Sequence, residues 1–236
     1  MKFMNSQYQK DMQTHLRAAA KGSGWKQAKG VVFRQVEDWF IAGQWKSVSA
    51  DPADGLRIEI LAKPMAIDPM LWQVMGSCDN NDQPLSFRHW GFFVCGAPVL
   101  DFEVIKTTEP ERAAPEVIAR LQKMLPKLID KLGSEKFSDL AQASLGNHDN
   151  WRMTETIIHA LWLEGDNEGA VRYAEHNRGS MSNSSLIADA SKAGKTHNEL
   201  VIEAIKGQEQ RETPDESEGH TAPKGGFWQR IFGKSA

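Results

Sequence analysis

Residues 31–60, VVFRQVEDWFIAGQWKSVSADPADGLRIEI, decide the fold of this chain. Large apolar side chains occupy every second position in three runs, namely Val31 and Phe33, Trp39 and Ile41, and Leu56, Ile58 and Ile60. Polar residues alternate with them, as Arg57 and Glu59 do in the last run. Successive side chains of a β-strand point to opposite faces, so a period of two is typical of strands with one face on a core. The stretch predicts an antiparallel meander with one solvated face.

Upstream of the meander, residues 6–20 have the spacing of an α-helix. Apolar residues recur there at intervals of four, four and three positions, namely at Tyr8, Met12, Leu16 and Ala19. Such residues share one helical face, which predicts an amphipathic helix. Gly22 and Gly24 follow it, and glycine commonly ends a helix.

The residues after the meander predict a short helix and two more strands. Asp68 precedes proline, which suits a cap followed by the first helical position, so we expect a helix over Pro69–Met75. A polar loop, Gly76–Pro84, follows. Apolar runs at Trp90–Cys95 and Val99–Ile105 predict a further strand pair. The sheet is therefore expected to have four or five strands.

The second half of the chain has helical periodicity. Beyond Pro110, a broad apolar face is formed by Val117, Ile118, Leu121, Leu125, Leu128, Ile129 and Leu132. Pro126 is expected to bend this helix. Shorter helices are predicted over residues 134–145, 150–164, 167–177 and 183–206. Glycines stand at positions that end helices, namely Gly133, Gly146, Gly165 and Gly179.

The predicted fold class is α+β, with an N-terminal helix and a mainly antiparallel sheet followed by a helical C-terminal half and a disordered tail. Residues 1–110 are expected to form the sheet domain. Residues 111–206 would be a helical region packed on it or a helical subdomain. Residues 207–223 hold five acids and one base with few apolar side chains, which predicts an acidic flexible linker. Residues 224–236 form a basic-aromatic tip.

The tip, KGGFWQRIFGKSA, combines apolar and basic side chains. One face of a helix would carry its large apolar residues, namely Phe227, Trp228, Ile231 and Phe232. Arg230 and Lys234 add positive charge. These residues suit a groove on a protein partner or an anionic membrane surface. Docking onto the protein's own body is a third interpretation.

Composition predicts a cytoplasmic protein, and the tip adds a position peripheral to the inner membrane as an alternative. The 236 residues carry a net charge of −3, which gives no bulk positive field for nucleic acid. Two cysteines are too few for a disulfide scaffold and indicate a reducing compartment. No run of about 18 apolar residues and no apolar core of a signal peptide is present in the sequence. No cofactor is expected, and the oligomeric state stays open.

Asp101 and Glu103 are the candidate catalytic residues. Two carboxylates on one face of a strand, about 6.6 Å apart, could flank a metal ion or a scissile bond. Their segment resembles the acidic strand of restriction-type nucleases, but Lys106 falls one residue too late and on the opposite face. The polar face of an amphipathic strand explains both acids without chemistry. Glu155 and His159 share a helical face, but they are too few to predict a metal site.

Two other motifs contain residue types that bind anions. Arg88, His89 and Trp90 form a cluster that could bind an anionic or planar group. Residues 194–196, Gly-Lys-Thr, match the end of a phosphate-binding loop, but Asp189 stands where that loop needs its first glycine. The first motif is therefore a candidate binding site, whereas the second does not predict a nucleotide site.

The N-terminal layout resembles a family of uncharacterised bacterial α+β domains. The resemblance rests on residues 24–26, Gly-Trp-Lys, and residues 31–36, VVFRQV, and covers roughly the first 110–165 residues. It implies the fold and no activity. Separately, residues 160–166 with Ala170 and Tyr173 resemble the turn of one tetratricopeptide repeat, although stacking needs about three repeats.

Three functions follow as hypotheses. The first is a non-enzymatic bacterial protein–protein interaction module, with a toxin-neutralising immunity protein as one concrete case. The second is a peripheral membrane adaptor that uses the C-terminal tip. The third is a metal-dependent enzyme that uses Asp101 and Glu103.

Overall fold

The computed structural model describes residues 6–50, 53–91, 93–145, 152–177 and 194–212. The strands are β1 (Lys26–Ala28), β2 (Val31–Val36), β3 (Trp39–Ala50), β4 (Ala53–Pro64) and β5 (Val99–Ile105). The helices are α1 (Ser6–Ala20), α2 (Ile67–Met75), α3 (Phe87–Trp90), α4 (Pro110–Ser134), α5 (Phe137–Ala143), α6 (Met153–Leu163), α7 (Asn167–His176) and α8 (His197–Glu212). A 3₁₀ turn, Cys78–Asp82, lies between α2 and α3.

The five strands form one antiparallel sheet in the order β1-β2-β3-β4-β5. One row of paired residues crosses four of the strands: Val32 lies opposite Gly43, Gly43 opposite Ile60 and Ile60 opposite Asp101. Each strand pairs with the next along the chain, as short connections favour. The structure thus confirms the predicted α+β class.

Two strands differ from the sequence prediction. The strand predicted over Trp90–Cys95 is wrong, because Trp90 ends α3 and the described residues between α3 and β5, 91 and 93–98, form no helix or strand. Its carbonyl groups accept hydrogen bonds from side chains instead, for example from Lys63 to Cys95 O at 2.6 Å and from Arg152 to Val94 O at 3.1 Å. The three-residue β1 was not predicted.

Helices α1 and α4 cover the first face of the sheet. Met12 and Leu16 of α1 and Leu121 of α4 are fully buried against Ile58 and its neighbours. Gly43 allows α4 to approach closely, because a Cβ atom there would lie 2.3 Å from Leu121 Cδ1. Helix α4 continues through Pro126 as one helix of 25 residues. This face forms the larger core.

The second face of the sheet has two halves. In the sealed half, formed by Phe33, Phe40, Ala42, Leu61 and Lys63, the side chains are buried beneath the segment that joins β4 to β5. The open half is formed by Gln44, Lys46, Arg57, Glu59, Phe102 and Val104. Cross-strand pairs place Glu59 beside Phe102 and Arg57 beside Val104. The prediction of one solvated face is therefore corrected, since it fits the open half only.

A second core joins α2 to the C-terminal helices. Leu71 of α2, Ile158 of α6, Ala170 of α7 and Val201 of α8 are all buried in it. Helix α2 begins before the predicted cap, so Asp68 lies in its first turn and its carboxylate points into the protein. The segment that seals the second sheet face therefore also anchors the helical half.

The predicted helices of the second half are found with adjusted ends. Residues 134–145 contain the end of α4 and all of α5, and α6 and α7 form around the turn at Gly165. Helix α8 extends to Glu212, so residues 207–212 are helical where a linker was predicted. Residues 183–193 of the last predicted helix, residues 213–223 and the tip lie outside the described residues.

Candidate functional site

The predicted catalytic pair lies at the edge of the first sheet face, where α4 neutralises it. Glu103 accepts bonds from Arg120 at 2.8 Å and from Lys123 at 3.2 Å, and Asp101 lies 3.2 Å from Lys127 Nζ. The hydrogen bond from Arg120 lowers the pKa of Glu103. Both acids are thus engaged in ion pairs. Within the described ranges, no group of three or more acidic, histidine or cysteine side chains could hold a metal ion.

The Arg88–His89–Trp90 cluster lies on α3, where its arginine is held inside the protein. Arg88 donates to Met65 O at 2.8 Å and to Asp68 Oδ2 at 3.2 Å. Burial, and then the neighbouring charge of Lys63, lower the pKa of His89 to about 4. Its imidazole is therefore neutral near pH 7. Because the Arg88 guanidinium is bonded within the protein, the cluster contributes to the packing of the sealed half.

Lys63 is the centre of a buried ion network in that half. Its fully buried ammonium donates to Asp68 Oδ1 at 2.8 Å, to Arg88 O at 2.7 Å and to Cys95 O at 2.6 Å. An ammonium has three donors, so all of them are satisfied. Asp68 Oδ1 also accepts from the Cys95 N–H at 2.9 Å. The network ties β4 to α2, α3 and the chain before β5.

Two buried histidines connect α6 to α8, and the sequence did not indicate their pairing. His159 Nε2 lies 3.1 Å from His197 Nε2, and His197 Nδ1 lies 3.1 Å from Asn198 Oδ1. Asn198 donates its amide hydrogens to Ala174 O and Asn177 O, both at 2.6 Å. Its oxygen is therefore an acceptor, which makes His197 the Nδ1–H tautomer and His159 the donor at Nε2.

This imidazole pair holds helices together in a neutral state. Burial is the main cause that lowers the pKa of both rings, and the pKa of His159 falls well below its usual value. The neighbouring Glu155 acts in the opposite direction on His197. Both rings are fully buried. The pair therefore stabilises the packing of α8 on α6.

The open half presents an exposed apolar pair. Phe102 is 48% exposed and Val104 is 53% exposed, and both lie on the second face of β5. The guanidinium of Arg57 stacks on the Phe102 ring, with its Cζ 3.7 Å from the ring centroid. Large apolar residues exposed side by side mark interaction surfaces more often than isolated ones do.

The same two residues lie on an edge strand. Among the residues that the structure describes, β5 is the last strand of the sheet and has seven residues, whereas β1 at the other edge has three. The Phe102 N–H donates to the Asp101 carboxylate at 2.9 Å, which places this N–H on the outer side of β5. Backbone groups alternate along a strand, so the Val104 N–H points outward as well. A long free edge is a template for another strand.

Charges flank the edge on both faces. On the second face, Lys46 and Arg57 lie 3.2 Å and 2.9 Å from the buried carboxylate of Glu59. On the first face, Lys123 and Lys127 expose 69% and 79% of their side chains. Each ammonium has donors left for a second carboxylate, because Lys carries three. The second face of the edge therefore combines the exposed apolar pair with the ion pairs of Glu59, and the first face is lined by lysines.

A groove of about 490 Å³ opens at the start of α4. It is lined by Lys106, Thr107, Thr108, Glu109, Arg112 and Glu116. Acids and bases alternate along it, so its lining favours neither an anion nor a cation. It contributes no residue to the open half.

The tip residues Phe227, Trp228, Arg230, Ile231, Phe232 and Lys234 lie outside the described residues. No helix in the described ranges has both the length and the apolar character needed to cross a membrane. Residues 194–196 lie before α8, where Thr196 and Glu199 exchange capping hydrogen bonds.

Comparison with protein-family models, with curated proteins and with solved structures finds no match to this chain. The resemblance of residues 24–36 to uncharacterised bacterial α+β domains stays a prediction.

Proposed function

We propose that this protein is a non-enzymatic protein-binding module that adds an extended strand of a protein partner to the free edge of β5. The exposed pair Phe102 and Val104 on a seven-residue edge strand carries the proposal. In strand addition, main-chain hydrogen bonds supply affinity and alternate side chains supply specificity. Both elements are present on β5.

The surroundings of β5 define the chemistry of the strand that would bind. Side chains of the bound strand that lie on the second face of the sheet would contact Phe102 and Val104 and should be apolar. Side chains on its first face would lie near Lys123 and Lys127, which are largely exposed, and should be acidic. The partner strand should therefore alternate apolar and acidic residues.

The predicted acids have a supporting part in this function. Asp101 occupies the outward N–H of Phe102, and carboxylates on an edge strand limit unselective pairing. An incoming strand must displace that carboxylate, which can then bind Lys127 alone. The ion pairs with α4 would thus tune binding at the edge.

A library of random heptapeptides displayed on phage tests the proposal. Selection on the immobilised full chain should enrich sequences that alternate apolar and acidic residues. Val104→Pro should weaken their binding by about ten-fold or more, because it removes an outward N–H bond and leaves the ladder with β4 in place. Val104→Thr, which keeps the N–H and the branched shape, is the matched control. Equal binding to Val104→Pro and wild type would contradict the proposal.

A further inference from the structure

Strand β5 has the side-chain pattern that its own edge requires. Phe102 and Val104 lie on the second face, and Asp101 and Glu103 lie on the first. A strand that pairs with this edge should bring apolar residues to the second face and acids to the first. β5 itself brings both, in the correct alternation.

An antiparallel pair of β5 strands keeps these faces aligned. A two-fold axis perpendicular to the sheet leaves first faces on one side and second faces on the other. With the axis at Glu103, Phe102 lies opposite the partner subunit's Val104, and the reverse contact follows by symmetry. Aromatic and β-branched residues form favourable cross-strand pairs.

The charges on the first face are also complementary between copies. Around the axis, the two Glu103 carboxylates would meet, but each is already bound by Arg120 and Lys123. Arg120 also binds Glu116, so the four cations of the two copies face four acids at this point. Lys127, which is 79% exposed, can reach acids of either strand. The electrostatic repulsion between the acids of the two strands is therefore smaller than it would be without these cations.

We infer that the strand bound by β5 is β5 of a second copy of this chain, which joins the two five-stranded sheets into one continuous sheet. This inference rests on the proposed function and names its partner. The interface is an isologous one, in which the same patch serves both copies. Its second face is formed by the apolar pair of each copy, packed beside Arg57.

Sedimentation equilibrium across a concentration series measures the self-association. The wild type should rise from 26.4 kDa towards twice that mass as the concentration increases. Val104→Pro should stay at the monomer mass, whereas Val104→Thr, which keeps the backbone N–H, should still form the dimer at higher concentration. A wild type that keeps the monomer mass throughout would overturn the inference, and so would a Val104→Pro protein that doubles in mass equally well.

A charge-swap experiment tests the geometry independently. The double variant Lys123→Glu with Lys127→Glu makes the first face acidic, and Asp101→Lys with Glu103→Lys makes it basic. Each alone should sediment as a monomer, whereas an equimolar mixture should form the dimer. Near-ultraviolet circular dichroism verifies that both variants are folded. Folded variants that fail to associate on mixing would contradict the arrangement, and if either is unfolded, the comparison at Val104 decides.

The two levels of the proposal fail differently. A monomeric wild type that still binds library peptides through Val104 refutes pairing with a second copy and retains the strand-adding function. Loss of both self-association and peptide binding refutes both. Peptides that convert the dimer to monomers by competing for the edge support both.

Discussion

The sealed and open halves of the second sheet face differ in what covers them, although β3 and β4 contribute to both. In the sealed half, Lys63 and Asp68 are fully buried and the segment between β4 and β5 supplies their bonds. In the open half, Phe102 and Val104 face solvent. The first region uses its charged side chains to hold the fold. The second leaves apolar side chains and backbone edge for another polypeptide.

The largest expected effect separates two aspartates. Asp68→Ala leaves Lys63 buried without its counter-ion and should lower the free energy of unfolding by about 3–5 kcal/mol. Asp101→Ala removes a partly exposed ion pair and should lower it by no more than about 1 kcal/mol. Urea unfolding followed by tryptophan fluorescence measures both. Similar losses for the two variants would contradict the distinction between the halves.

The next comparison uses one aromatic residue from each half. Phe40 is fully buried, so Phe40→Ala should cost about 3–5 kcal/mol of stability through lost packing and the cavity. Phe102→Ala should change stability by about 1 kcal/mol or less, because nearly half of the ring is exposed. Thermal unfolding at matched, low concentration measures the monomer. A large loss for Phe102→Ala would mean that this ring belongs to the core.

Acid should weaken the sealed half through His89. Its folded pKa of about 4 lies below the unfolded value of about 6.5, so the unfolded chain binds more protons between these pH values. Stability therefore falls as the pH decreases from 6.5 to 4, by about 3 kcal/mol in total from this group. His89→Asn should remove that part of the slope in urea titrations at several pH values. An unchanged slope would show that His89 titrates alike in both states.

The smallest expected effect concerns Glu103. Its ion pairs with Arg120 and Lys123 are partly solvated, so Glu103→Gln should lower stability by less than about 1 kcal/mol. The difference from wild type should shrink further in 1 M salt, because salt screens exposed pairs. Denaturant unfolding at two salt concentrations measures this. A difference that salt leaves unchanged would indicate packing instead of charge.

Local patterns predicted most of the fold. The alternation in residues 31–60 predicted the central strands, and the spacing from Tyr8 to Ala19 predicted α1. The apolar run Trp90–Cys95 wrongly predicted a strand. Its carbonyl groups accept hydrogen bonds from Lys63 and Arg152, which are distant in sequence. Apolar content alone cannot reveal such long-range bonds.

The candidate site was predictable only in part. Asp101 and Glu103 were singled out as candidate catalytic residues, with the solvated face of an amphipathic strand as the alternative. The structure places them on the first face, where they pair with Arg120, Lys123 and Lys127 of α4. Phe102 and Val104 alternate with these acids, and the apolar positions of an amphipathic strand usually face a core. The two side chains are exposed instead, because β5 is an edge strand and lies outside the part of the sheet that the segment between β4 and β5 covers. Sequence periodicity carries no information on strand order.

Amide hydrogen exchange of β5 tests the central claim most directly. Dilute full-length protein would be compared with and without a saturating, library-selected peptide, with exchange resolved at individual amides. We predict that the Val104 N–H exchanges at least about ten-fold more slowly with peptide, since the added strand bonds it, while β1 and the sealed half stay unchanged. Unchanged exchange at Val104 together with slowing elsewhere would contradict strand addition at this edge.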